Sequence, residues 1–530
     1  MIAAPTQPRR KGVVDRLLGW FSLKPRHAYG IVLVVLAVGL VFAGYKLPSD
    51  PDLFWHIRAG GDILRMGIPH VDWYSHTLPT FFWIDHEYAQ DVFMYWVHGL
   101  VGFKGLSIVY AILVALILSV GLRWSLARRL PWTWSLAGGL LVALGSRSFI
   151  GARPQMLTWL LVLLLLGLIR RALSSTTVGW FSLIPLLFAL WANLHASFVA
   201  GFIILLVCII CESIKAIFAP VYTFGRTPRI QSVAWLAVAS ALSVPATFAN
   251  AYGWNIWLEP YRTLTDKALH NNIVEWFAPD PYSHTGYILF GMIVVYIGFL
   301  VVRQKRADLT DVGLTLAFFV SSLLAVRNVP LFLLIAVPLA LEGFRTLVVA
   351  TPRTKRAWTQ VVLLWPTLLA LALFTAAEVG RFPWQDFGRL DRDLTVFTRD
   401  GYPEGAAAFL SQQTEWAARS QQGTVHPYNE YAWGGYLLYR VPWFKTFIDG
   451  RMPSWVGGDK GDLKIIDKYF TIDRRENWRA TADEFAVNLF VIKADNALGG
   501  ELKQDGRFVE VFRDAQAVVF ATKELAAIKR

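Results

Sequence analysis

Apolar runs long enough to cross a lipid bilayer recur along this 530-residue chain, and they constrain its fold more than any other feature. The composition agrees with them, since 55% of the residues are hydrophobic and only 17% are charged, outside the averages of soluble domains. The sequence therefore predicts a mainly α, polytopic transmembrane helical bundle of about eleven spans. The predicted spans cover residues 29–46, 105–122, 132–146, 155–169, 179–193, 197–214, 231–248, 286–302, 311–326, 329–343 and 358–378.

Basic residues lie in the short loops between these runs, and their distribution predicts an orientation. If the N-terminus is cytoplasmic, every inside loop carries Lys or Arg, as the positive-inside rule requires. We predict a basic cytoplasmic N-terminus (1–28), a transmembrane domain (29–378) and an extracytoplasmic α/β domain (379–530), in an integral protein of a bacterial plasma (inner) membrane. The net charge of +13 belongs to these loops. No basic stripe accompanies it, so nucleic-acid binding is not expected.

The first external loop, residues 46–104, concentrates acids, imidazoles and aromatic rings next to the membrane. Ser49-Asp50-Pro51 is a helix-start signal with Asp50 as the N-cap. The apolar residues that follow Asp52 predict an amphipathic helix on the membrane surface, with His56 on the same side as Asp52. Asp52 is open to two interpretations, a functional carboxylate or a simple partner of the helix dipole.

A second helix is predicted after Trp83, with Asp85, His86 and Glu87 in its first turn. These side chains either complement the helix dipole or bind an anion or a metal ion. No spacing among them is diagnostic of a metal site, so the metal ligands stay unknown. No cofactor is certain, and a divalent cation is left open as a possible one.

The register of this loop resembles the GT-C glycosyltransferases, more narrowly the protein mannosyltransferase and aminoarabinose transferase branch. The resemblance rests on an acid at the outer end of the first span, an amphipathic helix ending at Gly67, the pair Asp72-Trp73, and an aromatic-rich second helix closing in a glycine. It implies a catalytic acid at the start of the loop, a position that Asp52 occupies, with Asp50 and Asp85 as further catalytic candidates. The family's second acid is here Leu53.

Where the family has a Lys-Pro-Pro element, this chain has Asp85-His86-Glu87, so no phosphate-binding lysine carries over. The first loop offers other groups for substrate contacts. These are His56, Arg58, His86 and Glu87.

Several arginines lie on the predicted outer face, although the positive-inside rule favours basic residues on the cytoplasmic side. Charge near the bilayer is costly, so such arginines indicate a functional role. A departing polyprenyl phosphate needs cations there, and Arg binds phosphate through a planar fork. Arg153 and Arg327 are the strongest candidates, followed by Arg147. The alternative is that each arginine snorkels to lipid headgroups.

Two further polar residues are candidates for the site, His195 within an apolar hairpin and Glu275 within a loop. His195, in Asn193-Leu194-His195, either faces a cavity or belongs to a tight turn, and Glu275 beside Trp276 either binds sugar or packs in the loop. In the C-terminal domain, Asp449-Gly450-Arg451 is favoured as a turn over an acceptor contact. Helices are predicted at 404–413 and 430–441, a strand at 487–493, and a hairpin turning at Asp514.

Together these features predict a glycosyltransferase that moves a sugar, with inversion, from a polyprenyl-phosphate-linked donor to an unknown acceptor: a lipid, a glycan or a protein. Its partners would be membrane lipid, the donor and that acceptor. Two readings from other classes remain open, a transporter or lipid flippase and a non-catalytic envelope assembly protein. Transporters tend to carry charges at the bilayer midplane and broken helices in paired halves, whereas here the ionisable residues gather at one face.

Overall fold

Long apolar helices make up most of the molecule. The computed structural model describes residues 50–127, 132–175, 177–218, 228–303, 308–349, 353–381, 384–456 and 464–528. The predicted N-terminus (1–28) and first span (29–46) lie outside the described residues.

Every other predicted span coincides with a helix, because continuous apolar sequence without interior charge satisfies its backbone hydrogen bonds most simply as a helix. The first-loop helix α1 spans Leu53–Met66. The bundle helices are α2 Tyr88–Ala127, α3 Trp132–Ser146, α4 Gln155–Ser174, α5 Gly179–Ala192, α6 Phe198–Phe218, α7 Ile230–Ala246, α10 His284–Arg303, α11 Leu309–Leu324, α12 Val329–Val349 and α13 Arg353–Arg381, with the short α8 Leu258–Thr265 and α9 Lys267–Asn272 between α7 and α10.

Three described helices are long and apolar enough to cross a membrane: Tyr88–Gly121, Gln155–Ser174 and Phe198–Phe218. Five more apolar helices are shorter than a full span: Gly179–Ala192, Ile230–Ala246, His284–Gly298, Leu309–Leu324 and Trp365–Gly380. The helices are thus where the hydropathy predicts them, but the count of about eleven spans is not confirmed.

Helix α1, predicted as an amphipathic helix with its apolar face on the membrane, packs that face into the protein. Ten of its residues from Leu53 to Ile63 are buried, although the apolar Leu64 is 59% exposed. At Gly60 the backbone of α2 is so near that an added Cβ would meet the Asp91 carbonyl oxygen at 2.0 Å. Helix α1 is buried because α2 covers one of its sides and the C-terminal region covers the other.

A glycine breaks α2, as the sequence register predicted. Gly102 has a φ of 68°, which other residues adopt only with strain. Asp391 stabilises the break by accepting a hydrogen bond of 2.7 Å from the Phe103 N–H. The aromatic half that begins at Tyr88 is thereby set at an angle to the apolar half.

The C-terminal region contains a small mixed sheet flanked by short helices. Its strands β1 Pro427–Asn429, β2 Leu489–Lys493, β3 Phe508–Arg513 and β4 Ala517–Thr522 lie in the order β1-β2-β4-β3, with β1 parallel to β2 and the other pairs antiparallel. The predicted hairpin is confirmed. The region's helices are α14 Trp384–Arg389, α15 Glu404–Ser411, α16 Thr414–Gln421, α17 Gly434–Arg440, α18 Ile465–Asp473, α19 Trp478–Glu484, α20 Leu498–Gln504 and α21 Lys523–Ala526.

The first loop and the C-terminal region share one apolar core. Trp55, Tyr74 and Trp83 from the loop pack in the same cluster as Phe447 and Trp455. Backbone hydrogen bonds tie the two together, from the His76 N–H to the Thr446 carbonyl (3.2 Å) and from the Thr446 N–H to the Tyr74 carbonyl (2.9 Å). The loop is therefore held between the helices and the sheet.

Candidate active site

Asp52 lies where the chain turns into α1. The regular helix begins at Leu53, later than the helix-start signal suggested, but Oδ1 of Asp50 still accepts a hydrogen bond of 3.0 Å from the Asp52 N–H. The Trp55 indole N–H donates to Oδ1 of Asp52 at 3.0 Å. The first contact fixes the backbone of Asp52 and the second its carboxylate, and the residue is half-buried.

Gly450 covers this carboxylate from the C-terminal region. A Cβ built on Gly450 would lie 1.7 Å from Oδ1 of Asp52, so only glycine allows the approach. The predicted turn is confirmed, with a hydrogen bond of 3.1 Å from the Met452 N–H to the Asp449 carbonyl.

Arg451 anchors the turn to the first loop. It pairs with Asp72 at 2.8 Å and with Asp449 at 2.6 Å, and its guanidinium lies 4.7 Å from the centre of the Trp83 ring. The two acids account for the buried charge, so Arg451 has a structural role.

Arg153 joins two acids beside Asp52. Its guanidinium forms ion pairs with Asp50 and with Glu275, which comes from the short 3₁₀ turn Val274–Trp276. The Arg327 guanidinium, in the turn Val326–Asn328, lies 4.6 Å from the centre of the Trp276 ring. We call Asp50, Asp52, Arg153, Glu275 and Arg327 the Asp52 cluster.

Electrostatics suit Asp52 to proton transfer near neutral pH. Burial and the negative charge of Asp50 raise the pKa of Asp52 to about 7, against smaller opposing effects of His56, Trp55 and Arg153. A carboxylate with this pKa is basic enough to accept a proton and is still substantially ionised at neutral pH.

A second group, the Glu87 cluster, joins α1, α2 and the turn between α5 and α6. Its members are His56, Asp85, His86, Glu87, Asp91 and His195. The carboxylate of Glu87 lies 2.9 Å from Nε2 of His195 and 3.6 Å from Nε2 of His56, while Nδ1 of His56 lies 2.6 Å from Oδ1 of Asp91. The Ser197 N–H donates to Nδ1 of His195, so Nε2 of His195 carries the hydrogen that Glu87 accepts.

The acids of this cluster differ in protonation because their neighbours differ. Burial acts to raise the pKa of Glu87, but His86, His195 and His56 hold it well below its usual range, so Glu87 is ionised. Burial, Asp91 and Glu87 raise the pKa of Asp85 well above its usual value. Burial lowers the pKa of His86 to about 4. Burial and neighbouring charges thus lower the pKa of Glu87 and raise that of the nearby Asp85, so the two acids differ in proton affinity.

Two predicted contact residues are paired elsewhere. Arg58 donates to Asp62 at 2.6 Å and to the Leu438 carbonyl at 3.3 Å, where it links α1 to α17. Arg147 pairs with Glu378 of α13 at 2.5 Å. Neither makes a described contact with the Asp52 or Glu87 cluster, so these two assignments stay predictions without support from the geometry.

Several residues at the site were not singled out from the sequence. Tyr431 faces the acids Asp52, Asp449 and Glu275, and burial together with their charges raises its pKa well above the usual value. The Tyr252 hydroxyl accepts a hydrogen bond of 3.0 Å from the Asp85 N–H and donates to the Pro69 carbonyl at 2.8 Å.

Asp91 follows Glu87 by four residues, one helical turn, so the spacing alone could have placed the two acids on the same face of α2. Tyr252 and Tyr431 come from distant segments without a local pattern. Within the described parts of the chain, no group of three or more His, Cys, Asp or Glu side chains is arranged to hold a metal ion.

The fold is shared with solved structures. Oligosaccharyltransferase AglB from Archaeoglobus fulgidus, in complex with an inhibitory peptide and a dolichol-phosphate, aligns with a TM-score of 0.60 and 11% identity over 94% of this chain and 74% of AglB. The apo form of the same enzyme gives a TM-score of 0.57 and 11% identity over 87% of this chain and 69% of AglB. The chain has the GT-C fold. The resemblance inferred from the first loop is thereby confirmed at the level of fold.

ArnT from Cupriavidus metallidurans bound to undecaprenyl phosphate aligns less closely, with a TM-score of 0.48 and 14% identity over 94% of this chain and 99% of ArnT. In sequence, the chain matches no protein-family model and no curated protein.

Proposed function

We propose that this GT-C protein is a glycosyltransferase that moves a sugar from a polyprenyl-phosphate-linked donor to an acceptor hydroxyl or amine, with inversion at the anomeric carbon. Asp52 carries the proposal. It is a half-buried carboxylate with a pKa near 7, covered by Gly450 and flanked by an arginine network. The GT-C fold, and the dolichol-phosphate in the AglB complex, support the donor class.

In the proposed reaction, ionised Asp52 removes the proton from the acceptor. The acceptor oxygen or nitrogen forms a bond to the anomeric carbon as the bond from that carbon to the phosphate oxygen breaks. The electron pair of the broken bond leaves with the polyprenyl phosphate. General-base catalysis of this kind contributes about 10²- to 10⁴-fold to a rate.

Arg327 is the proposed contact of the departing phosphate. Arg327 is half-buried and its guanidinium lies over the Trp276 ring. Burial acts to raise the pKa of Glu275, but the charge of Arg327 lowers it. An arginine can bind phosphate oxygens through its planar fork. Arg153 is held between Asp50 and Glu275, so we assign it a positioning role together with a contribution to the positive potential.

The Glu87 cluster is proposed to orient a substrate hydroxyl or amine. Glu87, whose pKa is held low, accepts hydrogen bonds, and Asp85, whose pKa is raised, donates one in its protonated form, so the pair can fix a sugar or an acceptor group that does both. The protein is an integral membrane protein in this proposal, with the two clusters and the C-terminal domain (379–530) on the extracytoplasmic side and residues 1–28 in the cytoplasm.

The Asp52→Asn variant tests the proposal. Purified full-length protein is incubated with a panel of undecaprenyl- and dolichyl-phosphate-linked sugars and a membrane-lipid extract as the acceptor source, and released polyprenyl phosphate is measured. We expect release by the wild type and a loss of about 10²-fold or more in Asp52→Asn. The matched control, Asp495→Asn, changes an exposed acid of the C-terminal region and should release phosphate at the wild-type rate. Undiminished release by a folded Asp52→Asn protein would overturn the assignment.

A further inference from the structure

An open apolar groove of about 680 Å³ lies between α2, α4 and α5, far from both clusters. Its walls are leucines, and the spacing of Leu183, Leu186, Leu187 and Leu190 places them along one face of α5. No acidic side chain lines it among the described residues. Cavities of this size bind lipid- and drug-sized molecules.

Two arginines and a tryptophan stand at one end of this groove. Arg123 and Arg171 are both exposed, and the Arg171 guanidinium lies 5.2 Å from the centre of the Trp180 ring. The ring contact orients Arg171, while neither arginine has a described carboxylate partner. A cationic end on an apolar groove is complementary to one anionic headgroup with an acyl chain.

The arginine end lies opposite the candidate active site. Helix α4 starts at Gln155, next to Arg153, and Arg171 follows after about 24 Å of helix. Helix α5 runs from the Trp180 end to Ala192, and the turn after it carries His195 of the Glu87 cluster. A polyprenyl phosphate reacting at Asp52 would have its phosphate at the other end of these helices, too far away for the arginine pair to bind it.

We propose that this groove binds one anionic glycerophospholipid, with its phosphate on Arg123 and Arg171 and one acyl chain along α4 and α5. Arg forms bidentate hydrogen bonds with phosphate oxygens, and basic residues at a membrane surface favour anionic lipids over zwitterionic ones. At Gly167, in the groove wall, an added Cβ meets nothing within 4 Å, so the groove is open at that point.

Native mass spectrometry of the full chain in detergent, with phosphatidylglycerol or phosphatidylcholine added, tests the site. We expect one tightly bound phosphatidylglycerol and weak phosphatidylcholine binding. The double variant Arg123→Gln/Arg171→Gln should bind phosphatidylglycerol about 30-fold more weakly, since each arginine near an anionic headgroup contributes about fivefold. Gly167→Phe should block the chain and lose binding of the lipid with both arginines present.

The matched control is Arg229→Gln, which removes an exposed charge at the start of α7, at the same end of the bundle but outside the groove. It should keep wild-type binding. If the double variant unfolds, Arg123→Lys/Arg171→Lys replaces it and should retain the preference for phosphatidylglycerol with reduced affinity. Equal binding of the two lipids, an undiminished affinity in the folded double variant, or displacement of phosphatidylglycerol by an equimolar amount of undecaprenyl phosphate would overturn the proposal.

Discussion

The α-carbon of Gly450 approaches Asp52 so closely that a methyl group on it would overlap Oδ1 of the carboxylate, at 1.7 Å. One residue from the last quarter of the chain therefore fixes the position of the proposed base. The contact also limits which side of Asp52 a substrate can reach.

We expect Gly450→Ala to displace the Asp52 carboxylate and to lower the rate of transfer by about 10²-fold, because misplacing a reacting group by about 1 Å costs that much. The measurement is polyprenyl phosphate release at saturating donor. Gly500→Ala, where an added Cβ meets nothing within 4 Å, is the control and should behave as wild type. Wild-type activity in Gly450→Ala would separate this turn from catalysis.

The pH profile should follow the ionisation of Asp52. A base works in its ionised form, so kcat/KM should rise with pH and level off above about 7. Asp50 raises the pKa of Asp52, so removing its charge in Asp50→Asn should shift the rising limb to lower pH. Asn at this position can still accept the Asp52 N–H bond. A profile in Asp50→Asn that coincides with that of the wild type and of Asp495→Asn would contradict the coupling.

Arg327→Met should reduce transfer by about 10²- to 10³-fold, the usual loss when one group that stabilises a developing anion is removed. Arg327→Lys keeps the charge without the fork and should recover part of the rate. Steady-state kinetics with varied donor give the result. Arg262→Met is the comparison, because Arg262 lies over the ring of Phe81 at 4.9 Å and outside the Asp52 cluster. Equal losses in Arg262→Met and Arg327→Met would argue against a specific phosphate contact.

Arg451→Met should destabilise the fold, since it leaves Asp72 and Asp449 buried without their cation. Breaking such a buried group costs about 3–5 kcal/mol. Thermal unfolding of the purified protein should show a large fall in Tm. Arg479→Gln removes a partner of Asp505 at the surface and should cost no more than about 1 kcal/mol. An Arg451→Met protein as stable as Arg479→Gln would show that other contacts hold the turn.

The sequence predicted the features that depend on local pattern. Each predicted span after the first lies on a helix, and the break at Gly102 and the hairpin at Asp514 are present. The helix start was predicted two residues too early, because the N-cap is Asp52 and not Asp50. Hydropathy, glycine and turn residues act over a few positions, so a single sequence reveals them.

Contacts between residues far apart in the chain could not be predicted from these local patterns. The apolar face of α1 has the pattern of a helix at a membrane surface, and no neighbouring residue indicates that α17 covers it. The two helices are so close that a Cβ added to Gly435 of α17 would lie 2.4 Å from the Pro51 carbonyl oxygen. Tyr431 and Tyr252 join the site through contacts of that kind. As arginines in or beside the outer loops, Arg58 and Arg147 were predicted to contact substrate. In the structure their charges are instead neutralised by Asp62 and Glu378 of the same protein.

The close approach of Gly450 to Asp52 has a consequence for biosynthesis. About 400 residues separate the two, so a ribosome has made every described bundle helix before the glycine exists. Closing so long a loop is a late event in folding. A nascent chain thus has the local contacts of Asp52 with Asp50 and Trp55 before it has the Gly450 turn, and the carboxylate stays uncovered on that side until synthesis has passed the turn.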